Sequence, residues 1–205
     1  ARVSRAISLR AGDALTVERA AHLLVEKGGS LAIPAGGALA NEGTIEATAD
    51  AAADAAPVGE GSFLNRGVLL LGQATFGGDF TNEGEIRLGE GGLLCVEDDC
   101  AAENAGDIAG QGRLRVGKAR LANGGSIDAD VDLAQEGQID SAEGTVNLDR
   151  VPEAARSRIL LPKEDDKGKD EEKKGDPEEE PPPGEKEKPK DDGKPKEDDG
   201  KEEPE

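Results

Sequence analysis

Apolar and polar residues alternate in short runs along most of this chain. In stretches such as Glu85–Leu88, Arg113–Val116 and Ile127–Leu133, aliphatic residues occupy most second positions. A period of two predicts β-strands with one buried face and one wet face. Paired glycines separate many of the runs, and the access of glycine to positive φ predicts tight corners there. The first 150 residues are therefore expected to be short strands joined by corners.

One phrase, Asn-x-Gly-x-aliphatic, recurs five times at intervals of 24, 17, 22 and 19 residues. A unit of about 20 residues is too small to enclose a core, so the units must stack on one another. The asparagines of the phrase are Asn41, Asn65, Asn82, Asn104 and Asn123, and its corner glycines are Gly43, Gly67, Gly84, Gly106 and Gly125.

The simplest stack of such units is all-β, a single-stranded right-handed parallel β-helix (a solenoid) of about seven short coils over residues 1–150. In it, each asparagine lines up with the next in a ladder, because its amide can donate to one neighbour and accept from another. Each corner glycine would then turn the chain into the next strand. An antiparallel β-sandwich is the alternative, but it has no reason to repeat this phrase.

Aromatic residues are almost missing from the chain. Phe63, Phe76 and Phe80 are the only rings, and there is no Trp or Tyr. A thin solenoid core can be filled by Ile, Leu, Val and Ala, and the three phenylalanines are expected to share one layer of it. The longest interval between phrases contains Ala47–Gly61, an Ala- and Asp-rich run that we interpret as a surface loop.

The character of the chain changes at Lys163. Residues 163–205 consist only of Lys, Glu, Asp, Gly and Pro, with 11 lysines against 20 acidic residues, so this segment carries −9 of the net charge of −20. A segment without apolar residues is expected to form a disordered, solvated acidic tail. The acidity disfavours nucleic acid and anionic lipid as partners, and no apolar run is long enough to span a membrane.

Residues 151–162 lie between the repeats and the tail and are predicted to cap the solenoid. Pro152 and Pro162 bound helix-forming residues, which indicates a short helix or a last strand. Ile159, Leu160 and Leu161 are expected to form the lid. The sequence contains no Met, so it is expected to be a mature product or a piece of something longer, and any signal peptide would already be gone.

The chain has two cysteines, Cys95 and Cys100. A disulfide between them, closing a corner loop, fits an oxidising compartment, whereas two free thiols fit a cytosolic one. A zinc site needs more ligands than these two, and the sole histidine, His22, is distant in sequence. No metal site is predicted.

The densest acidic cluster, Asp128, Asp130 and Asp132, resembles the start of a calcium loop. The match fails because Leu133 stands where such a loop needs glycine and Ile139 stands where it needs glutamate. The alternation of these residues with aliphatic ones predicts a solvated outer face instead. No nucleophile elbow, phosphate-binding loop or zinc-protease motif is present. We therefore predict no catalytic residue and no cofactor.

The Asn-x-Gly-x-Ile/Leu phrases, the first preceded by Gly36-Gly37-Ala38-Leu39, resemble the repeats of filamentous-haemagglutinin-type and autotransporter-passenger adhesins over roughly residues 7–148. The resemblance implies a right-handed β-helix that is secreted or displayed on the cell surface as a stalk or adhesive surface. Its partners would be host or matrix surface glycans or proteins.

A second similarity is to bactofilins, which are polymerising cytoskeletal β-helices with disordered tails. It rests on Gly-x-Ile/Val corners such as Gly137-Gln138-Ile139 and Gly144-Thr145-Val146. Three hypotheses follow. The leading one is a non-enzymatic extracellular or cell-surface structural or adhesive solenoid. The first alternative is a cytoplasmic scaffold that self-associates through its coil ends, and the second is a secreted polysaccharide-active β-helix enzyme.

Overall fold

The computed structural model describes residues 1–27, 29–47, 57–97 and 100–162. The predicted tail, residues 163–205, lies outside the described residues. Nearly all regular structure is β. The strands are β1 (Arg2–Val3), β2 (Ala6–Ser8), β3 (Ala14–Val17), β4 (His22–Val25), β5 (Ser30–Ile33), β6 (Ala38–Asn41), β7 (Thr44–Ala47), β8 (Pro57–Gly59), β9 (Ser62–Asn65), β10 (Val68–Phe76), β11 (Phe80–Asn82), β12 (Glu85–Val96), β13 (Ala101–Asn104), β14 (Asp107–Val116), β15 (Arg120–Asn123), β16 (Ser126–Leu133), β17 (Gln138–Asp140), β18 (Thr145–Val146) and β19 (Ile159–Leu160).

The strands stack into a parallel β-solenoid of about seven turns, which confirms the predicted fold class. Each turn contributes to three faces. Face A stacks β1, β4, β7, the first parts of β10, β12, β14 and β16, and β18. Face B stacks β2, β5, β8 and the second parts of β10, β12, β14 and β16. Face C stacks β3, β6, β9, β11, β13, β15, β17 and β19.

All of these pairings are parallel, which excludes the antiparallel sandwich. Faces A and B belong to one sheet because four long strands run through both, with shifts of register at the corner, as between Leu71 and Gln73. Insertions at this corner and at the corner between faces B and C account for the uneven repeat lengths in the sequence. They leave the stacking intact because the strands between the first and last turns still pair with the turns above and below them.

The core is a narrow column of aliphatic side chains, one set per turn. Strand alternation places every second side chain inside, as in Ile86, Ile108 and Ile127, which pair in register and are at most 2% exposed. Phe63, Phe76 and Phe80 lie in one layer, with ring centroids 4.6 to 6.1 Å apart. The predicted aromatic layer is confirmed.

The predicted surface loop Ala47–Gly61 is wrong at its C-terminal end. Pro57–Gly59 forms strand β8, which pairs in parallel with β5 and β10 on face B. The sequence did not indicate a strand here because Pro57 and Gly59 locally favour a turn. Pairing with β5 and β10 on the two sides overrides that local preference. Residues 48–56 lie outside the described residues.

The C-terminal end of the solenoid is closed by the predicted cap segment. A 3₁₀ helix, Leu148–Arg150, precedes helix α1 (Glu153–Arg156) and strand β19. Val151, Ala155 and Ile159 close the core and are 3%, 4% and 6% exposed. The prediction that Leu160 and Leu161 also form the lid is wrong, because both are more than 40% exposed. Leu160 follows the inward-facing Ile159, so strand alternation turns its side chain out.

Candidate functional site

The five repeated asparagines form one continuous ladder inside the solenoid. Each sits at the end of a face C strand, where parallel register places it directly above its counterpart. The amide Nδ2 of each residue donates to Oδ1 of the next, at 2.7 Å for Asn41 to Asn65, Asn65 to Asn82, Asn82 to Asn104 and Asn104 to Asn123. All five side chains are at most 2% exposed.

The ladder amides also bind the backbone of the neighbouring turn. Asn41 Nδ2 lies 3.1 Å from the carbonyl oxygen of Val68, and Asn123 Nδ2 lies 3.1 Å from that of Thr145, with equivalent contacts at the three turns between them. Among the described residues, no buried side-chain nitrogen or oxygen lacks a partner. The ladder therefore links successive turns without leaving a polar group unsatisfied, which would cost about 1–3 kcal/mol each.

Ser141 ends the ladder and was missed by the sequence analysis. Asn123 Nδ2 donates to Ser141 Oγ at 2.8 Å, and the Ser141 side chain is fully buried. An extra residue separates Ser141 from Gly144, so the segment does not match the Asn-x-Gly phrase. The Gly144-Thr145-Val146 corner that follows it was the available signal. At the other end, Val17 pairs with Asn41 and starts the column with an apolar side chain.

The five corner glycines are required because adjacent turns pack closely at these positions. Of the five, only Gly125 belongs to a glycine pair for which positive φ is predicted, and it does not have positive φ. Positive φ occurs at other described glycines, among them Gly36 and Gly91, but at none of the five. A Cβ atom on Gly67 would lie 2.0 Å from the carbonyl oxygen of Gly43, and one on Gly125 would lie 1.9 Å from that of Gly106. Each such carbonyl accepts a hydrogen bond from the residue after the next glycine, so adjacent turns are in direct backbone contact.

The predicted disulfide is absent, and Cys95 and Cys100 are both free, buried thiols. Cys95 lies between Leu94 and Val96, whose side chains are in the core, so alternation turns Cys95 to the outer side of face B. Cys100 belongs to the core cluster. The two thiols therefore lie on different sides of the solenoid wall, which their spacing in sequence did not reveal.

Both thiols are held in the protonated form. Burial and the hydrogen bond from Cys95 Sγ to Glu97 Oε1, 3.1 Å away, raise the pKa of Cys95 to about 12. Burial raises the pKa of Cys100 to about 11. Because the thiolate is the reactive form, neither cysteine is set up as a nucleophile.

We expect both cysteines of the folded protein to react with a thiol reagent at pH 8 at least about 100-fold more slowly than in urea, because unfolding removes the burial that raises their pKa values. A time course with Ellman's reagent measures both rates. Equal rates in the folded and unfolded states would contradict the buried placement. Fewer than two titratable thiols in unreduced, unfolded protein would show that Cys95 and Cys100 form a disulfide.

Ion pairs link neighbouring turns on the outer surface. Arg66 Nε lies 2.8 Å from Glu83 Oε2, and its hydrogen bond lowers the pKa of that carboxyl. Arg120 pairs with Asp140, and Arg150 Nε lies 3.1 Å from Asp130 Oδ1. Asp128 and Asp130 are exposed and Asp132 is half-buried, on the outer faces as predicted. Because these pairs are exposed to solvent, each contributes little to stability.

Face B carries two adjacent depressions that share Arg113 and Asp130. One has a volume of about 260 Å³ and is bordered by Gly91, Gly92 and Gln111. The other has a volume of about 420 Å³ and is bordered by Asp132, Asp149 and Arg150. Arg113 is exposed and pairs in register with Asp130 of the next turn. The sequence could not reveal this site, because corner insertions decide which residues align.

Residues 1–27, 29–47, 57–97 and 100–162 contain no group of three or more His, Cys, Asp or Glu arranged to hold a metal ion. His22 lies at the start of β4 and contacts Glu46, with Nε2 3.0 Å from Oε2. No helix in the described part of the chain is long and apolar enough to cross a membrane.

The fold and the ladder define the chain as a parallel β-solenoid repeat protein. Comparison of the chain with protein families, with curated proteins and with solved structures finds no match.

Proposed function

We propose that this protein is a non-enzymatic structural or adhesive solenoid, outside the cell or on its surface, held in solvent by its charged tail. The observation that carries the proposal is the asparagine ladder. The repeated polar residues from Asn41 to Asn123 are committed to bonds between turns, with four side-chain bonds of 2.7 Å. The side chains that recur in every repeat thus serve the scaffold, which leaves contact with a partner to the outer faces.

The depressions on face B supply the contact surface in this proposal. Arg113 and Asp130 present a donor and an acceptor side by side, and Gln111 adds an amide at the edge. These groups can form hydrogen bonds with polar groups on surface glycans or proteins of a host or matrix. The resemblance of the repeat to adhesin solenoids supports the same assignment. Residues 48–56 of the predicted surface loop lie outside the described residues.

Binding assays on the full chain test the proposal. We expect labelled protein to bind a glycan array or immobilised matrix proteins, and we expect Arg113→Ser to weaken this binding at least about tenfold. Arg66→Ser removes the same charge at the corner between faces C and A and is expected to leave binding unchanged. Equal loss in both variants would reject face B as the contact surface.

The same protein should release no product from a panel of polysaccharides. Measurable turnover that survives purification would contradict the non-enzymatic proposal and favour a polysaccharide-active enzyme.

The free thiols favour a second candidate, a cytoplasmic self-assembling scaffold of bactofilin type. Reduced, buried cysteines such as Cys95 and Cys100 are usual in a reducing compartment. This candidate predicts filaments under the electron microscope and two free thiols in protein taken from its native compartment. The leading proposal predicts neither filaments nor a cytoplasmic source.

A further inference from the structure

The outward side of face A carries two rows of side chains, with one residue of each row per turn. Strand alternation turns these residues away from the core, and the parallel register places each one above the last. Row 1 consists of Arg2, Leu24, Glu46, Leu70, Arg87, Ala109 and Asp128. Row 2 consists of His22, Thr44, Val68, Glu85, Asp107 and Ser126. Both rows cross β10 at an aliphatic residue.

Row 1 is symmetric about Leu70 if charges of opposite sign are exchanged. One turn from Leu70, the row has Glu46 on one side and Arg87 on the other. Two turns away, both positions are apolar, with Leu24 and Ala109. Three turns away, at β1 and β16, the charges are again opposite. Such a row is complementary to a second copy of itself that runs in the opposite direction.

Row 2 fits the same symmetry about Val68, which lies in the same turn as Leu70. One turn away are Thr44 and Glu85, a hydroxyl and a carboxylate that can form a hydrogen bond. Two turns away are His22 and Asp107, an imidazole and a carboxylate. If two copies pack antiparallel about this turn, no residue of either row meets a residue of like charge.

The middle of face A is apolar and its surroundings are charged. Val68 and Leu70 are half-buried although they point outward. The charged residues beside them already have partners within the chain, because Arg87 donates to Glu85 and Glu46 contacts the adjacent histidine. A contact here therefore does not bury an unpaired charge. An apolar centre with a polar rim is the usual organisation of a contact between proteins.

We propose that face A packs against face A of a second copy, with the two solenoids antiparallel about a two-fold axis at β10. Leu70 and Val68 of both chains meet at the axis, and Glu46 of each chain lies opposite Arg87 of the other. The axis lies inside the stack, so these central pairs do not depend on either end of the solenoid. The proposal is independent of the adhesive role, since it does not involve face B.

The dimer is expected to be weak. Face A is only two outward residues wide, so the contact buries less than the roughly 1,600 Å² of a standard interface. The net charge of −20 on each chain also opposes association, but salt at about 0.15 M screens exposed charges that are more than about 8 Å apart. The short-range pairs across the axis are then the electrostatic contacts that remain.

Sedimentation equilibrium of the full chain at about 0.15 M salt tests the dimer. We expect a dissociation constant of about 1–100 µM for the wild type. Glu46→Arg and Arg87→Glu each place like charges opposite one another, and each is expected to raise this constant at least about tenfold. Glu103→Arg is the matched control, because it makes the same change of charge at an exposed position of face C. It is expected to leave the dimer intact.

An equimolar mixture of the Glu46→Arg chain and the Arg87→Glu chain tests the antiparallel arrangement itself. One chain then has arginine at both positions and the other has glutamate at both, so every pair across the axis is again complementary. We expect a mixed dimer with a dissociation constant within about threefold of the wild type. A parallel pair, or a contact elsewhere, does not set residue 46 opposite residue 87 and predicts no recovery.

Leu70→Lys provides a second variant, because it sets two charges against each other at the axis. It is expected to raise the dissociation constant at least about 100-fold. Leu64→Lys is its control, since Leu64 is half-buried and points outward on face C, and circular dichroism checks the fold of every variant. A monomeric wild-type chain at about 500 µM would overturn the proposal. A mixture of the two charge variants that stays monomeric, or equal losses in the face C controls, would also overturn it.

Discussion

Replacing Gly125 with alanine is expected to destabilise the solenoid by about 3 kcal/mol or more. The new methyl group would lie 1.9 Å from the carbonyl oxygen of Gly106, and the nearest atoms all belong to backbone. That oxygen accepts the backbone hydrogen bond of Ser126 at 2.9 Å, so relieving the overlap means separating two turns. Urea unfolding followed by circular dichroism measures the change in free energy.

Gly124, the preceding residue, provides the control. A Cβ atom there meets nothing within 4 Å, and Gly124 does not have positive φ. Gly124→Ala is therefore expected to stay within about 0.5 kcal/mol of the wild type. If the two variants unfold at the same urea concentration, the turns are not in backbone contact at this corner.

Asn82→Asp is expected to destabilise the protein by about 4 kcal/mol at pH 7, because it places an uncompensated charge in the buried ladder. A carboxylate cannot donate to Asn104 Oδ1, which lies 2.7 Å from the Asn82 amide nitrogen. Burial would raise the pKa of this carboxyl in the folded state above its unfolded value of about 3.9. The stability of the variant relative to the wild type is therefore highest at pH values below the unfolded-state pKa. It falls as pH rises towards and through the folded-state pKa.

Urea unfolding of Asn82→Asp, Asn82→Ala and the wild type at pH 4 and pH 7 measures this effect. Alanine removes the same hydrogen bonds without adding a charge, so its difference from the wild type should change little between the two pH values. The aspartate variant should recover part of its loss at pH 4. If Asn82→Asp loses the same unfolding free energy at both pH values, or loses no more than Asn82→Ala, residue 82 is in contact with water.

The asparagine ladder could be predicted because its chemistry leaves few other arrangements. An amide carries both a donor and an acceptor, so a polar residue that recurs once per turn can stay buried if the turns stack. The strands followed in the same way from alternation, as in Arg113–Val116 of β14. The regular repeat therefore allowed both the fold class and the buried residues to be predicted from the sequence.

Other features could not be predicted, because they depend on which residues of adjacent turns lie next to each other. Strand β8 exists because β5 and β10 flank it, although Pro57 and Gly59 locally favour a turn. Cys95 and Cys100 are close in sequence, yet strand alternation and the core place them on different sides of the wall. Arg113 and Asp130 are neighbours on face B because of the register of β14 and β16. Insertions at the corners determine that register, and the sequence alone does not reveal it.

Hydrogen exchange of the asparagine side-chain amides tests the central claim most directly. The chain has six asparagines. Five are buried in the ladder, and the sixth, Asn147, is exposed and donates to Asp128 Oδ1 at 2.9 Å. In an NMR spectrum of asparagine-labelled protein, we predict five side-chain amides that exchange at least about 1000-fold more slowly than that of Asn147. Five amides that exchange as fast as Asn147 would show that no ladder exists.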